Sequence, residues 1–430
     1  MIENNKKETA RTLALRSLVA LERDGRYSNL EIDSALRKAD LNDSDRGLYT
    51  RLVYGVTEKR ITLDYIISQY SSKPVDELDP DGRTALRLGV YQLLWMDRIP
   101  DHSAVDESVG LVSRQKRGFV NGVLRSLLRG NKEYTLPNKS DYPHYLSVKY
   151  SVPKALAKMF MECTDDVEAL LEAMNKEPHI GLRVNRLKTT AYEVVEMTGG
   201  RLSGIAPDVV IVDSLDERVK DGLARGLWFV QDEASRITSA AVGATSGERI
   251  IDTCSCPGGK SFSMSIDMEN KGDVRSYDLH KNKLSLVRSG AERLGITIIT
   301  TEERDARKPD ETYFGWADRV LCDAPCSGLG VIAKKPDIRY KDMSDIERLP
   351  EIQYGVLCGA AEYVKNGGVL VYSTCTINKA ENEAVVKRFL DANPLFTLEE
   401  NEYLPGGMRT FMPHIDGCDG FFAARMRKNT

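Results

Sequence analysis

Apolar residues recur at helical spacing through the first 130 positions. Over Thr9–Glu22 they fall at Leu13, Leu15, Leu18, Val19 and Leu21, and Leu30–Lys38, Asp45–Ile67 and Arg83–Trp95 continue the period. Asp24-Gly25 and Ser71–Pro74 interrupt it, and Ser103-Ala-Val-Asp106 after Pro100 offers a helix N-cap. The pattern predicts an all-helical domain over 1–140. A polar stretch at 131–141, with Pro137 and Asn138, reads as a linker. From there to 235, helices over Val152–Cys163 and Asp166–Asn175 mix with strands, which predicts a small α/β subdomain. Within it, His179–Asn185 alternates Ile180, Leu182 and Val184 on one face, as a half-buried strand does.

After Gly247 the period changes. Short apolar runs end at Asp252, at Asp278 (Gly272–Asp278), at Thr300 (Ile296–Thr300), at Cys322 (Asp318–Cys322) and at Tyr372 (Gly368–Tyr372), with helices between them. Five strands alternating with helices predict a parallel, doubly wound α/β domain over 236–430. Ser344-Asp-Ile-Glu347 and Asn378-Lys-Ala-Glu381 have the capping-box pattern, the second opening a helix over Glu383–Ala392. The tail Gly417–Met426 is strand-like and placed to complete the sheet.

Chemistry concentrates where strands end. The stretch 247–261 reads as a strand, a Pro257-Gly258-Gly259 turn and a helix start, the arrangement that puts a ligand at the carboxyl end of an open α/β sheet. Glycine at 258 and 259 lets the backbone come close to that ligand. A P-loop is excluded because position 254 is Cys, and a dinucleotide fingerprint because the glycines are only an adjacent pair. An ordinary βα turn without a ligand is the plain alternative. Asp278, an acid at the end of the second strand, suits a ribose diol. Asp305 follows the third strand, and the fourth ends in Asp323-Ala-Pro-Cys-Ser-Gly-Leu-Gly330.

The chain of 430 residues is long enough for two or three domains. Its 41% hydrophobic and 29% charged residues describe an ordinary soluble protein. No apolar run reaches membrane-helix length, and the first residues lack an apolar signal core. The eight cysteines include no Cys-x-x-Cys pair, so no metal is expected and a reducing cytoplasm is. Net charge is −4, but residues 1–140 carry 23 Lys and Arg against 20 Asp and Glu. An acidic average does not exclude a local basic groove. Arg114, Lys116, Arg117, Arg125 and Arg129 crowd the end of the helical segment, as a solvated helix face or as a phosphate-contacting one. Arg183 and Asn185 read likewise as exposed strand polarity or as an open RNA-facing surface, with no aromatic RNA-recognition motif beside them.

Three ordered motifs, Asp252-Thr-Cys-Ser-Cys-Pro-Gly-Gly-Lys-Ser261, Asp323-Ala-Pro-Cys-Ser-Gly-Leu-Gly330 and Ser373-Thr-Cys-Thr376, resemble those of S-adenosylmethionine-dependent RNA cytosine-5 methyltransferases. One departure is Ser255-Cys256, where that family usually has two alanines; both residues are small enough to keep the turn. Leu86–Leu94, Ile99-Pro100, Val105–Val109 and Phe119–Leu124 resemble the NusB family of helical RNA-binding domains. Together the segments resemble the RsmB (Sun/Fmu) family over nearly the whole length. The resemblance implies a NusB-like helical domain over 1–140, a small α/β subdomain over 141–235 ahead of the catalytic segment, and a Rossmann-like class I methyltransferase domain over 236–430. It also implies methylation of one cytosine at C5 in small-subunit (16S) ribosomal RNA; a monomer is expected, though no motif speaks to oligomeric state. Transfer RNA as substrate, or an idle fold serving as an RNA-binding assembly factor, are the alternatives.

C5 of cytosine becomes nucleophilic only after a thiolate adds at C6, and a base must then remove the C5 hydrogen. With an ordinary pKa near 8.5, a cysteine is only about 3% thiolate at pH 7. Neighbouring N–H groups or cations such as Lys334 and Lys335 are candidates to lower that pKa. Cys326 and Cys375 both follow strand ends, and chemistry alone does not choose between them. The resemblance implies Cys375 as nucleophile and Cys326 in product release. It further implies cofactor contacts from Cys254, Ser255, Cys256, Pro257, Gly258, Gly259 and Lys260, from Asp278 at the ribose, Asp305 near the adenine and Asp323 by the reacting centre. Cys163, Cys322, Cys358 and Cys418 read as small hydrophobes.

Overall fold

Side-chain caps set the helix limits that apolar spacing leaves open. In the computed structural model, which describes residues 8–430 except Arg26, α1 (Ala10–Asp24) starts at a reciprocal cap between Thr9 and Thr12 and stops where Gly25 turns left-handed. Eight more helices follow before the first strand: α2 (Ser28–Lys38), α3 (Asp43–Tyr70), α4 (Pro80–Trp95), α5 (Asp101–Gly110), α6 (Arg114–Arg129), α7 (Tyr142–Tyr150), α8 (Lys154–Cys163) and α9 (Val167–Met174). The α5 start differs from the expected Ser103 cap: Pro100 precedes it and supplies no side-chain hydrogen bond. Leu13, Leu52, Val56, Leu63, Leu86, Leu88 and Leu124 share one core. α6 buries Val120, Val123, Leu124 and Leu127 and turns Arg114, Arg117, Arg125 and Arg129 outward.

The chain forms two compact units, and the first is not contiguous. It comprises the residues up to Asn175 together with Lys334–Tyr340; the second comprises Lys176–Ala333 and Lys341–Thr430. The seven-residue insert is anchored by Arg339, which is buried and donates to the carbonyls of Glu58, Tyr150 and Ser151 and to Asn175 Oδ1. Tyr340 donates to Thr57 O at 2.8 Å and lies under the Arg60 guanidinium. Ser28 Oγ bonds Asp337.

The second unit holds two sheets. The smaller is antiparallel, built from β1 (Ile180–Val184), β2 (Arg201–Leu202), β3 (Val209–Val212) and β4 (Trp228–Val230) in the order β2-β3-β1-β4, with α10 (Ala191–Thr198) and α11 (Glu217–Arg225) in the same segment. Both faces of β1 are covered. Arg183 and Asn185, expected on an exposed or RNA-facing side, are wholly buried. Arg183 donates to Asp267 at 3.0 Å, and Asn185 donates to the carbonyls of Gly226 and Leu294. Strand alternation gives the two faces but not what packs on the second one.

The larger sheet contains β5 (Arg249–Asp252), β6 (Asp273–Asp278), β7 (Ile299–Glu303), β8 (Ala317–Asp323), β9 (Val364–Thr374), β10 (Phe396–Leu398), β11 (Met408–Phe411) and β12 (Phe421–Lys428). Its order is β10-β12-β9-β8-β5-β6-β7, with β11 on β12, and the pairs from β9 to β7 are all parallel. Thus the expected doubly wound sheet is present, and the tail does complete it: β12 runs antiparallel beside β9. Around it lie α12 (Glu233–Ala241), α13 (Gly259–Asp267), α14 (Leu284–Leu294), α15 (Met343–Glu362), α16 (Glu383–Ala392) and the short α17 (Pro413–Asp416). Strand order reverses between β5 and β8, so a crevice opens at their carboxyl ends. Among the described residues no helix is long and apolar enough to cross a membrane.

Candidate active site

Parallel strands in register bring four strand ends to one rim. Asp252 closes β5, Asp278 closes β6, Asp323 closes β8 and Thr374 closes β9, with Asp323 paired to Ser373 across the β8–β9 register. The turn after β5 is tied to its neighbours by main-chain bonds: Thr253 N donates to Leu321 O at 3.0 Å and Ser255 N to Tyr277 O at 2.8 Å. Gly258 caps α13 at φ 116°, and a Cβ there would stand 2.4 Å from the Phe262 ring, so both conformation and space require glycine. A Cβ on Gly259 would meet only Gln231 Nε2, at 3.8 Å.

At the second strand end, the Asp278 carboxylate accepts from Cys256 N at 3.3 Å and from His280 N at 2.9 Å. Arg304 N donates to Asp278 O, which sets the loop carrying Asp305 beside it. Asp305 itself is drawn to Arg307, which donates to it from N, Nε and Nη2 and holds its carboxyl below the usual range. Burial raises the Cys254 thiol well up, and burial with the charge of Asp278 pushes the Cys256 thiol up to about 12. Ser255 Oγ is buried with no hydrogen-bond partner. Cys322 and Cys418 are buried, as expected of small hydrophobes, whereas Cys163 and Cys358 are only partly covered.

The third cluster holds the sulfur atoms. Cys326 Sγ and Cys375 Sγ lie 3.2 Å apart. The Cys326 thiol is pushed well up, first by its hydrogen bond to Cys375 and then by burial. Beside them Lys260 Nζ donates to Asp323 Oδ2 at 2.7 Å, and Ser373 Oγ donates to Asp323 Oδ1 at 2.7 Å. Burial opposes the charge on Lys260, yet Asp323 and then Cys375 more than offset it, so the ammonium is retained. Hence Lys260 is a cation near the thiols, and Lys341 Nζ donates to Ser327 O at 2.7 Å beside Cys326. Lys334 and Lys335, the candidate cations that the sequence could not place, group with the helical unit.

Sequence reasoning missed a polar network behind the cysteines. Glu381, expected to cap the helix over Glu383–Ala392, is wholly buried instead. It accepts from Ser327 N at 2.8 Å, Ser327 Oγ at 2.6 Å, Gln353 Nε2 at 2.9 Å and Asn378 Nδ2 at 2.9 Å. α16 has Asn382 at its N-cap and no side-chain cap bond. The other expected box also shifts: α15 starts at Met343, with Asp342 accepting from Ser344 N. A Glu at that spacing is the only local signal, and it points equally well to a cap. Among the described residues no group of His, Cys, Asp and Glu could hold a metal ion.

Comparison with known proteins agrees with this architecture. Residues 240–427 match the family described as 16S rRNA methyltransferase RsmB/F, and residues 8–129 match the NusB family. A probable ribosomal RNA small subunit methyltransferase B of Bacillus subtilis (strain 168) is 38% identical, over 98% of this chain and 99% of its own length. Among solved structures, that of PH0851 superposes with a TM-score of 0.80 at 28% identity, covering 98% of this chain and 100% of that one. NSun6 from Pyrococcus horikoshii, solved with SFG, shares the fold at 22% identity and a TM-score of 0.58, over 65% of this chain and 98% of its own. The chain belongs to the RsmB family of ribosomal RNA small subunit methyltransferases, a NusB-like helical region joined to an α/β domain whose methyl donor is S-adenosylmethionine.

Proposed function

We propose that this protein methylates C5 of one cytosine in 16S ribosomal RNA, with Cys375 as the nucleophile that adds to C6 and Cys326 as the residue that assists release. The observation that carries this reading is the pair of thiols 3.2 Å apart at the ends of β8 and β9, beside the Lys260–Asp323 ion pair. The Cys326 thiol is pushed up by Cys375 and by burial, and the retained Lys260 ammonium offers the charge that would favour a Cys375 thiolate. Adding that thiolate to C6 moves an electron pair toward C5, and Asp323 at the pyrimidine N3 steadies the ring as charge develops. The C5 hydrogen then leaves to a base as the C6–sulfur bond breaks. S-adenosylmethionine supplies a methyl on an electrophilic sulfonium.

The rim fits that donor. Asp278 presents a carboxylate for a ribose diol, Ser255 leaves a buried hydroxyl unpartnered, and Cys254, Cys256, Pro257, Gly258, Gly259 and Lys260 line the turn that approaches it. Asp305 would serve the adenine end while staying paired with Arg307. A stacked cytosine hides C6, so the base must be extruded into the cleft. The outward arginines of α6 give the helical unit a phosphate-binding face.

The test is a denaturing gel of protein incubated with 16S RNA and S-adenosylmethionine. A covalent band that accumulates in Cys326→Ala and is absent in Cys375→Ala supports the assignment. A band only in Cys375→Ala reverses the two roles, and no band with no methyl transfer removes the covalent mechanism.

A further inference from the structure

Buried Glu381 has no part in the reaction as proposed, yet its contacts converge on the residues around Cys326. Two of its four donors are Ser327 N and Ser327 Oγ, immediately after Cys326. A third, Gln353 Nε2, also donates to Pro325 O at 3.0 Å, immediately before it. All four donors are neutral. A carboxyl group stays out of water only when its oxygens are met in this way.

Asn382, the next residue, does the same for Cys375. Its Oδ1 accepts from Thr374 Oγ1 at 2.6 Å and its Nδ2 donates to Thr376 O at 2.9 Å. Ser327 Oγ lies 2.8 Å from Thr376 Oγ1, which ties the two loops directly. Tyr372 OH donates to Glu381 O at 2.6 Å, so the main chain of this pair is fixed to β9. Asn382 therefore holds both neighbours of Cys375, while Glu381 holds Ser327 directly and Pro325 through Gln353.

We propose that Glu381 and Asn382 are positioning residues that clamp the Pro325–Ser327 and Thr374–Thr376 loops together and keep the Cys326 thiol on Cys375. The inference rests on Cys375 as nucleophile and Cys326 as release residue. Capture of the base needs Cys375 alone, whereas release needs Cys326 within reach of the adduct. Loosening the clamp on the Cys326 side therefore slows release more than capture. Glu381→Gln does this without changing size. An amide has one oxygen to accept, and its NH2 group must face a donor where the carboxylate had a second acceptor.

The experiment mixes full-length protein with unmodified 16S RNA and S-adenosylmethionine and quenches at intervals into denaturant, so that adduct formation and decay are read separately. In Glu381→Gln, formation is expected to stay near the wild-type rate while decay slows about 10- to 100-fold, the scale of a misplaced catalytic group. Ser327→Ala, a gentler change, is expected to shift decay in the same direction. Adding Glu381→Gln to Cys326→Ala is expected to slow decay no further, because the clamp acts through Cys326. Wild-type decay in both variants, formation and decay falling together, or a slowing that adds to that of Cys326→Ala would each overturn the proposal.

A second readout needs no RNA. Phenylarsine oxide, which bridges two neighbouring thiols, should be captured more slowly by Glu381→Gln, and an unchanged rate would overturn the clamp. If Cys326→Ala traps no band while arsenical capture still slows, the cysteine assignment has failed rather than the clamp geometry, and the role in release falls with it.

Discussion

At Asp252, burial at the end of β5 raises the carboxyl from an ordinary 3.8 to about 7, although Ser261 Oγ donates to it at 2.7 Å. Between those two values the native chain keeps a proton that the unfolded chain has released. Stability therefore falls as pH rises through that window and levels off above it. Asp252→Asn is neutral at every pH, so it should compare more favourably with wild type at pH 8 than at pH 5, by about 1–3 kcal/mol. Urea midpoints at the two pH values check this, and equal differences would count against a neutral Asp252. At this scale the sequence was readable where contiguous motifs follow strand ends, and Asp323, Cys326 and Cys375 do lie together at the ends of β8 and β9. It was not readable at Glu381, because burial there is decided by Ser327 and Gln353, and a local rule offered the helix cap in its place.

Among elements, the loop after β8 and the loop before β12 meet backbone to backbone. Gly330 N donates to Cys375 O at 3.1 Å, and Gly330 O accepts from Gly420 N at 2.9 Å. A Cβ on Gly330 would stand 1.8 Å from Gly420 O, and neither main chain can yield as a side chain would. Gly330→Ala should cost about 1–3 kcal/mol and lower turnover as the Cys375 loop shifts; full stability with full turnover would contradict that packing. On α6, Arg114→Glu with Arg125→Glu should leave the fold intact, since both side chains are exposed. The pair should weaken 16S RNA binding and flatten its dependence on salt, measured by titration at several ionic strengths. Element types followed the hydrophobic period closely, while limits moved where a turn intervened. The third parallel strand, expected over Ile296–Thr300, is β7 (Ile299–Glu303). Ile296 is taken up by the end of α14, where its N–H bonds Ala291 O after a left-handed Gly295.

For the whole molecule, a helical part ahead of an α/β part was legible, but α7, α8 and α9, expected within the small α/β subdomain over 141–235, group with the helical unit. The passage of Lys334–Tyr340 into that unit left no mark in the sequence pattern. The side-chain hydrogen bonds of Asp337, Arg339 and Tyr340 reach partners between 164 and 309 positions away, and no local pattern marks them. Arg339→Leu should destabilise this unit by about 1–3 kcal/mol, because three carbonyls and Asn175 lose a buried donor. Thermal unfolding of the full chain reads the change, and an unaltered transition would show that water serves those carbonyls as well. The helical unit therefore has no single coding segment. A fragment that stops at Asn175 lacks its guanidinium plug, and one that starts at Lys176 carries Arg339 and Tyr340 without the partners they bury against. Anyone exchanging this unit between relatives must transplant it as a graft in two pieces, the residues up to 175 and the seven from 334 to 340.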